Sequence, residues 1–471
     1  MSRHEVHVKF PGRIVMVGFG SIGQGILPLI LRHIGTSSDR ITIITAEDAG
    51  SSEAAEFGVK FVKSALTRAN YRQILEPLLS ADDFLLNLSV DVSSTALLEL
   101  ARERGALYLD TCIEPWAGGY TDPNTSVETR SNYAMRLKAL RLRKAADAPT
   151  AVLTHGANPG LVSHLVKQAL LNIAADTGVD AGAPTSRAAW AELAHTLGVK
   201  VIHIAERDTQ VEAQPKKANE FVNTWSVDGF VSEGAQPAEL GWGSHEKHFP
   251  PDGARHQDGS GCAIYLNRPG ASTLVRTWTP AAGSFHGFLI THSEAISLAD
   301  YYTVMDGERV VYRPTSHYAY HPSDATVLSV HEFAGNNWHI QDRKRIMMKG
   351  IIDGVDELGV LLAGHKKNAY WLGSQLSIGE ARKLAPYNSA TSLQVTSAAL
   401  AGMIWAMENP RRGIVEPDDM DHHRPLEICR PYLGPVVGKY TDWTPLYQRG
   451  ELFEEDLDTS DPWQFKNVRV T

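Results

Sequence analysis

A scattered set of carboxylates and aromatics has the side-chain types that a hydride-transfer site needs around its cofactor. Such a site must orient a substrate and move a proton. Asp91 sits in Ser89-Val-Asp-Val-Ser93, and Glu114 in Thr111-Cys-Ile-Glu-Pro-Trp116. Glu206 follows the apolar run Val201 to Ala205, Trp225 closes the run from Phe221, and Glu233 lies in Phe230-Val-Ser-Glu-Gly234. His292 and Glu294 share Thr291-His-Ser-Glu-Ala295, where an extended chain would turn both to one side. Taken singly, each is as readily a surface carboxylate or a satisfied core histidine. Other chemistries lack their motifs: HExxH, CxxC and GxSxG are absent, and His422 and His423 are adjacent, so they diverge on regular elements and predict no metal site.

The element that would hold a cofactor is contiguous. Ile14 to Val17 reads as a buried strand. It runs into Gly18-Phe-Gly20-Ser21-Ile22-Gly23, and a helical pattern (Ile26, Leu27, Leu29, Ile30, Leu31) follows. Strand, glycine loop and helix in that order form the dinucleotide-binding fingerprint. Gly18 permits the turn, Gly20 lets the backbone approach a pyrophosphate, and Gly23 lets helix and strand pack. Ser21 and Ile22 fall inside the loop, where unpaired N–H groups favour phosphate. Ile41 to Thr45 is the next strand, and Glu47 and Asp48 follow it. A carboxylate there accepts from a ribose diol and repels a 2′-phosphate. No Arg or Lys intervenes before Lys60, so the cofactor reads as NAD, with Glu47 or Asp48 on the ribose.

These segments sit in an α/β architecture. Strand signals (Val59–Val62, Phe84–Leu88, Leu107–Leu109, Ala151–Thr154) alternate with helical ones (Tyr71–Leu79, Ser93 or Ser94 to Glu103, Thr129–Ala145). The pattern predicts a Rossmann-type, doubly wound parallel sheet. Ligands bind such sheets beyond the carboxyl ends of the strands. That places Asp91, Glu114 and Asn158, the last in His155-Gly-Ala-Asn-Pro-Gly160, on the cofactor side. Short β-rich runs (Val201–Ile204, Phe221–Trp225, Phe288–Thr291, Val310–Tyr312, Val360–Leu362, Tyr370–Leu372) then suggest an inserted α+β substrate domain, before helical periodicity returns at Ser392–Met407. The expected division is a Rossmann domain over 1–160, an α+β substrate and dimerisation domain over 161–385, a helical return over 386–430 and an extension over 431–471. That last, acid-rich stretch reads as a solvated tail or dimer arm.

The bulk numbers suit this reading. A chain of 471 residues supports two or three domains. A formal charge of −9 argues against nucleic-acid binding and is compatible with cationic substrates. Three cysteines fit neither a disulfide framework nor a zinc site. No apolar run is long enough to span a bilayer, and no signal peptide is visible, so a cytoplasmic protein is expected.

The stretches Val15–Gly25, Asp110–Trp116, His155–Val162 and Thr291–Glu294 together resemble the bacterial homospermidine synthase family, over essentially the whole chain. That family is similar in fold to saccharopine and carboxynorspermidine dehydrogenases. The resemblance implies NAD, putrescine and related diamines as substrates, and a homodimer. It also implies a redox-neutral reaction: putrescine is oxidised to an imine, a second putrescine displaces ammonia, and the same NADH reduces the new imine to homospermidine. Carried over by motif, Trp225, Glu206, His292 and Asn158 are the expected catalytic residues, with Glu206 or Glu294 partnering His292 in proton relay. Asp91, Glu114, Glu233 and Glu294 would bind substrate. The alternatives are an amino-acid-type dehydrogenase of the saccharopine or carboxynorspermidine group, and a non-catalytic NAD-binding regulator. Dehydrogenases of the first kind bind carboxylates, for which an Arg fork is wanted. The candidate segments hold acids instead, and Arg207, directly after Glu206, is the one residue that speaks the other way.

Overall fold

A computed structural model describes residues 4–143 and 147–471. Apart from its edge strand Lys60–Lys63, the first sheet is built from short apolar runs that are largely buried on both faces, as parallel strands between helices must be. Its strands are β1 (Ile14–Val17), β2 (Ile41–Thr45), β3 (Lys60–Lys63), β4 (Phe84–Asn87), β5 (Leu107–Asp110) and β6 (Ala151–Val152). They run parallel in the order 3-2-1-4-5-6, and a seventh strand, Ile414–Val415, adds beside β6. Helix α1 (Ser21–His33) buries Ile26, Leu27, Leu29 and Ile30. It packs against the long helix Ala390–Glu408, which is buried nearly all round and is capped by Ser389. The return segment therefore completes the Rossmann half of the molecule, with a strand as well as a helix.

The second half is a ten-stranded mixed sheet. Its centre is β7 (Val201–Asp208), parallel to β8 (Thr315–His321) and antiparallel to β9 (Val355–His365). Alternation along β7 sends Ile202, Ile204, Glu206 and Asp208 to one face and Arg207 to the other. Two short helices flank the sheet: α2 (Val227–Ala235), capped by Ser226, and α3 (Ser293–Tyr301).

Several expectations change. Glu206 lies inside β7, not after it. The run Phe221–Trp225 is a strand only over Glu220–Asn223, which leaves Trp225 beyond its end. The strand Gly283–Phe288 stops where the expected one began, so His292 and Glu294 are not on an extended segment. His292 is the N-cap of α3 and Glu294 stands in its first turn. The charged helix expected over 129–145 forms only over Asn132–Leu140, and its expected end at Ala145 lies outside the described residues. The tail is not a solvated extension. Val436–Thr441 pairs with Asn368–Ser377, and Trp463, Phe465 and Val468 are buried. Charge density misled here, because the acids cluster between Glu454 and Asp461 and the aromatics that anchor the tail, Trp463 and Phe465, follow directly after them.

Candidate active site

The glycine loop forms a cradle. Gly18 has φ +89°, and a Cβ there would fall 2.7 Å from the backbone of Leu88, at the end of the adjacent strand β4. A Cβ on Gly23 would fall 2.9 Å from the Gly18 carbonyl oxygen. Gly20, at the N-cap of α1, faces open space. Beside it Ser21 is buried and its hydroxyl has no partner. A free helix N-terminus, an unsatisfied hydroxyl and open space over a glycine fit a pyrophosphate. Both Glu47 and Asp48 are exposed in the turn after β2; Asp48 pairs with Lys63 at 2.5 Å, whereas no hydrogen bond or ion pair of Glu47 is found among the described residues.

A cavity opens beside this cradle, at the switch between β1 and β4 where open α/β sheets take their ligands. Ile22, Leu88, Asn158, Glu206, Trp225 and Tyr318 are among its walls. A second, inner chamber reaches Glu114, Tyr120 and Asn132. The two share Cys112, Pro159, Glu233 and His292, so they adjoin across those side chains. A larger open groove of about 850 Å³ lies between the helix Leu161–Thr177 and the edge strand Val436–Thr441, away from the glycine loop.

Each polar wall residue has an identifiable anchor. The loop Gly156–Gly160 folds on itself: Gly156 N–H donates to the Pro159 carbonyl at 2.7 Å, and a Cβ on Gly160 would fall 2.2 Å from the Gly156 oxygen. This projects Asn158, whose Nδ2 donates to Glu206 Oε2 at 2.8 Å. Tyr318 Oη donates to the same oxygen at 2.5 Å. Glu206 Oε1 has neither a partner nor a place among the sealed, unsatisfied atoms, so it is the oxygen left to the cavity. Burial pushes the Glu206 carboxyl up to about 7, although Tyr318 and Asn158 pull the other way.

His292 is gripped on both sides. Its Nε2 lies 3.0 Å from Glu233 Oε2 and its Nδ1 3.3 Å from Glu294 Oε1. Burial opposes charge on the ring, but Glu294 and Glu233 outweigh it and hold the imidazole at about 10. His292 is therefore an imidazolium at neutral pH. Glu114, in the inner chamber, forms no ion pair among the described residues, and burial together with the nearby Glu233 carboxylate pushes it well above the usual carboxylate range. Asp91 is exposed and lines neither chamber, although its neighbours Ser89 and Val90 line the outer one; it has a left-handed φ of 65° and stands near the Asp228–Lys344 ion pair. Trp225 is half-buried with its ring edge against Gly229, and Nε1 donates to Tyr320 Oη at 3.3 Å.

The structure thus brings Asn158, Glu206, Trp225, Glu233 and His292 to the chamber walls, with Glu114 in the inner chamber and Asp91 outside; Glu294, expected to bind substrate, instead lies buried behind His292 and lines neither chamber. Arg207 enters neither. Its guanidinium lies on the far face of β7, against the Asp208 and Pro322 carbonyls and Asp324. Among the described residues no Arg or Lys lines either chamber. Two aromatic residues were missed in the sequence. Tyr318 stacks on His292 at 4.5 Å and on Tyr320 at 5.2 Å, so one strand ties Glu206, His292 and Trp225 together. The alternation His317-Tyr-Ala-Tyr-His321 was the available signal: a period of two puts both tyrosines on one face of a strand.

Fold and site together define an enzyme of the saccharopine dehydrogenase type. Residues 14–153 match the saccharopine dehydrogenase NADP binding domain, and residues 156–441 the saccharopine dehydrogenase C-terminal domain. The homospermidine synthases of Blastochloris viridis and Mesorhizobium japonicum are 56% and 53% identical to this chain; the first match covers 100% of both chains, the second 99% of this chain and 98% of the relative. The crystal structure of the Legionella pneumophila homospermidine synthase in complex with NAD superposes with a TM-score of 0.93 at 49% identity, covering 100% of both chains. The chain belongs to the homospermidine synthase family.

Proposed function

We propose that this site makes homospermidine from putrescine with NAD. The observation that carries the reading is a pair of adjoining chambers beside a dinucleotide cradle, walled by Glu206, Glu233 and Glu114, with no Arg or Lys in their lining among the described residues. Such walls suit a dication and repel the carboxylates of an amino-acid substrate.

Gly18, Gly20 and Gly23 leave room for the pyrophosphate, and Ser21 Oγ and the N–H groups at the start of α1 receive it. Ile22 lines the cavity next to the cradle, and Glu47, rather than the Lys63-paired Asp48, would accept the ribose hydroxyls. Bound NAD supplies a hydride acceptor for the first amine and, once reduced, the donor that completes the product, so the overall conversion of two putrescines to homospermidine and ammonia is redox-neutral.

The protein's share is to manage charge. An alkyl ammonium with a pKa near that of lysine costs about 4.6 kcal/mol to neutralise at pH 7 (roughly 3.4 pH units at about 1.36 each). Glu206 Oε1 takes that proton, and Asn158 and Tyr318 hold the other oxygen still. Glu233 and Glu114 retain the distal ammonium along the length of the cavity, and Asp91 attracts the diamine to the mouth. His292, already charged between Glu233 and Glu294, donates a proton to the departing ammonia. The Trp225 ring favours a cationic imine by roughly 0.5–2 kcal/mol. Burial of the walls keeps out the water that would hydrolyse the imine to an aldehyde.

Purified protein incubated with putrescine and NAD should yield homospermidine and ammonia by mass spectrometry, without net accumulation of NADH. Stoichiometric NADH would instead identify an ordinary dehydrogenase. The three cysteines are unpaired, as in a reducing cytoplasm. Among the described residues no helix is long and apolar enough to cross a membrane. The tail exposes Leu452 and Phe453 at 83% and 75%, apolar surface that a second copy would cover in a homodimer; light scattering tests that assembly.

A further inference from the structure

Behind Glu206 lies a group the reaction above does not use. Asp208, two residues along the same face of β7, pairs in register with Asp356 on β9. Both are fully buried. No Lys, Arg or His side chain bonds to either carboxylate among the described residues; Arg207 reaches only the Asp208 backbone carbonyl. Asp208 is well supplied with donors: Gln210 N–H at 2.7 Å, Gln210 Nε2 at 3.1 Å and Thr224 Oγ1 at 2.7 Å. Asp356 has only Thr391 Oγ1, at 2.5 Å from Oδ2, and its Oδ1 is sealed without a partner. Thr391 Oγ1 also lies 3.4 Å from Asp208 Oδ2 and accepts from Gln210 Nε2 at 2.9 Å.

Counting hydrogens locates the proton. Thr391 has one to give and two carboxylates to serve. An ionised Asp356 would hold a full charge on one hydrogen bond and a bare oxygen, whereas Asp208 has three donors besides Thr391. We propose that Asp208 and Asp356 share a single proton through Thr391, resting on Asp356, and that this pair is a positioning device that holds one fixed negative charge behind Glu206. The other groups facing the pair are Glu206, Tyr318 and Tyr320 on the same side. Arg207 and Glu357 project from the opposite face, Glu357 satisfied by Thr279, Gln375 and the N–H groups of Ala281 and Ala282. The link to catalysis rests on the reaction proposed above, and the shared proton does not. Burial pushes Asp356 well above the carboxylate range, with Glu206 and Asp208 adding to it. Asp208 in turn helps hold Glu206 high, after burial itself. Thr391 lines the catalytic cavity, so the pair is one side chain from the reacting centre.

Asp356→Asn keeps the shape and the donor to Thr391 but needs no proton. Wild type must take one up on folding at any pH above the unfolded Asp value, near 3.9. The folded pKa is raised, so its stabilising contribution is complete below that value and is lost as pH rises. The variant should therefore melt higher than wild type at pH 8, with the gap closing towards pH 4. A gap that does not change with pH overturns the shared proton. The carboxylic-acid C=O stretch missing from the variant's infrared spectrum is a second readout, and its absence from wild type would overturn it equally. Asp208→Asn, with NAD still bound, should shift the acid limb of the kcat profile to lower pH, because Glu206 loses a neighbouring charge. A superposable profile overturns the positioning role. If no homospermidine forms at all, the reaction reading fails while the melting and infrared results still decide the proton.

Discussion

The two walls of the cavity are made in opposite ways. The Rossmann wall works through backbone: glycines leave room, and a helix end offers N–H groups. It adds few side chains: Ser21 beside the phosphate site, and Glu114 and Asn158 from the loops after β5 and β6. The facing wall works through side chains that come from β7, α2, α3 and β8, and its backbone only aims them. One wall is a continuous loop of chain and binds the constant part of the reaction. The other is assembled from distant segments and holds what changes, namely protons and ammonium groups. A backbone wall fails by steric intrusion, and a side-chain wall fails by loss of a charge.

The sharpest test of that contrast is Glu206→Gln, which keeps shape and removes the base. It should lower kcat roughly 10²–10⁴-fold while NAD stays bound, as seen by nicotinamide fluorescence or co-purification. Loss of NAD along with activity would blur the two walls into one. Trp225→Ala comes next: a cation–π contribution of about 0.5–2 kcal/mol corresponds to roughly a 2- to 30-fold fall in turnover, with the melting temperature little changed. Unaltered turnover would remove the ring from the mechanism. On the backbone side, Gly20→Val should abolish NAD binding and leave the fold intact, since its side chain enters open space. Gly18→Ala should instead lower stability by about 1–3 kcal/mol, because its φ is positive and the added carbon meets Leu88. Thermal melts with and without NAD separate the two.

The smallest effect concerns pH. Glu206, Glu114 and His292 all have folded pKa values raised above their unfolded ones. Each contributes stability that is complete at low pH and declines as pH rises, for His292 between 6.5 and about 10. Melting temperature should therefore fall over pH 7 to 10. Putrescine, which brings charge to the same carboxylates, should raise it more at pH 9 than at pH 6. An equal rise at both would dissociate the diamine from these groups.

The same division explains what could be read from the chain. The glycine loop was legible because turn, helix and phosphate site are consecutive, so local rules suffice. The acidic wall was legible as a set only through resemblance, because nothing local joins residue 206 to 233 or 292. Even then the local context was misjudged. His292 was expected on an extended stretch, yet it caps a helix, and the contact with Glu294 survives because a helix's first turn also brings such neighbours together. The tyrosines of β8 escaped notice because their importance lies in what they touch. The tail was misjudged because a high charge density says nothing about the few aromatics that dock it.

The imidazolium held between Glu233 and Glu294 is, in effect, a resident understudy for the guest's ammonium. When a real ammonium reaches Glu233, the ring, still charged at neutral pH, holds its proton less tightly, so loading the chamber near pH 9 should expel hydrogen ions into the medium. Calorimetric titration would then give an apparent heat that tracks the ionisation enthalpy of the buffer chosen.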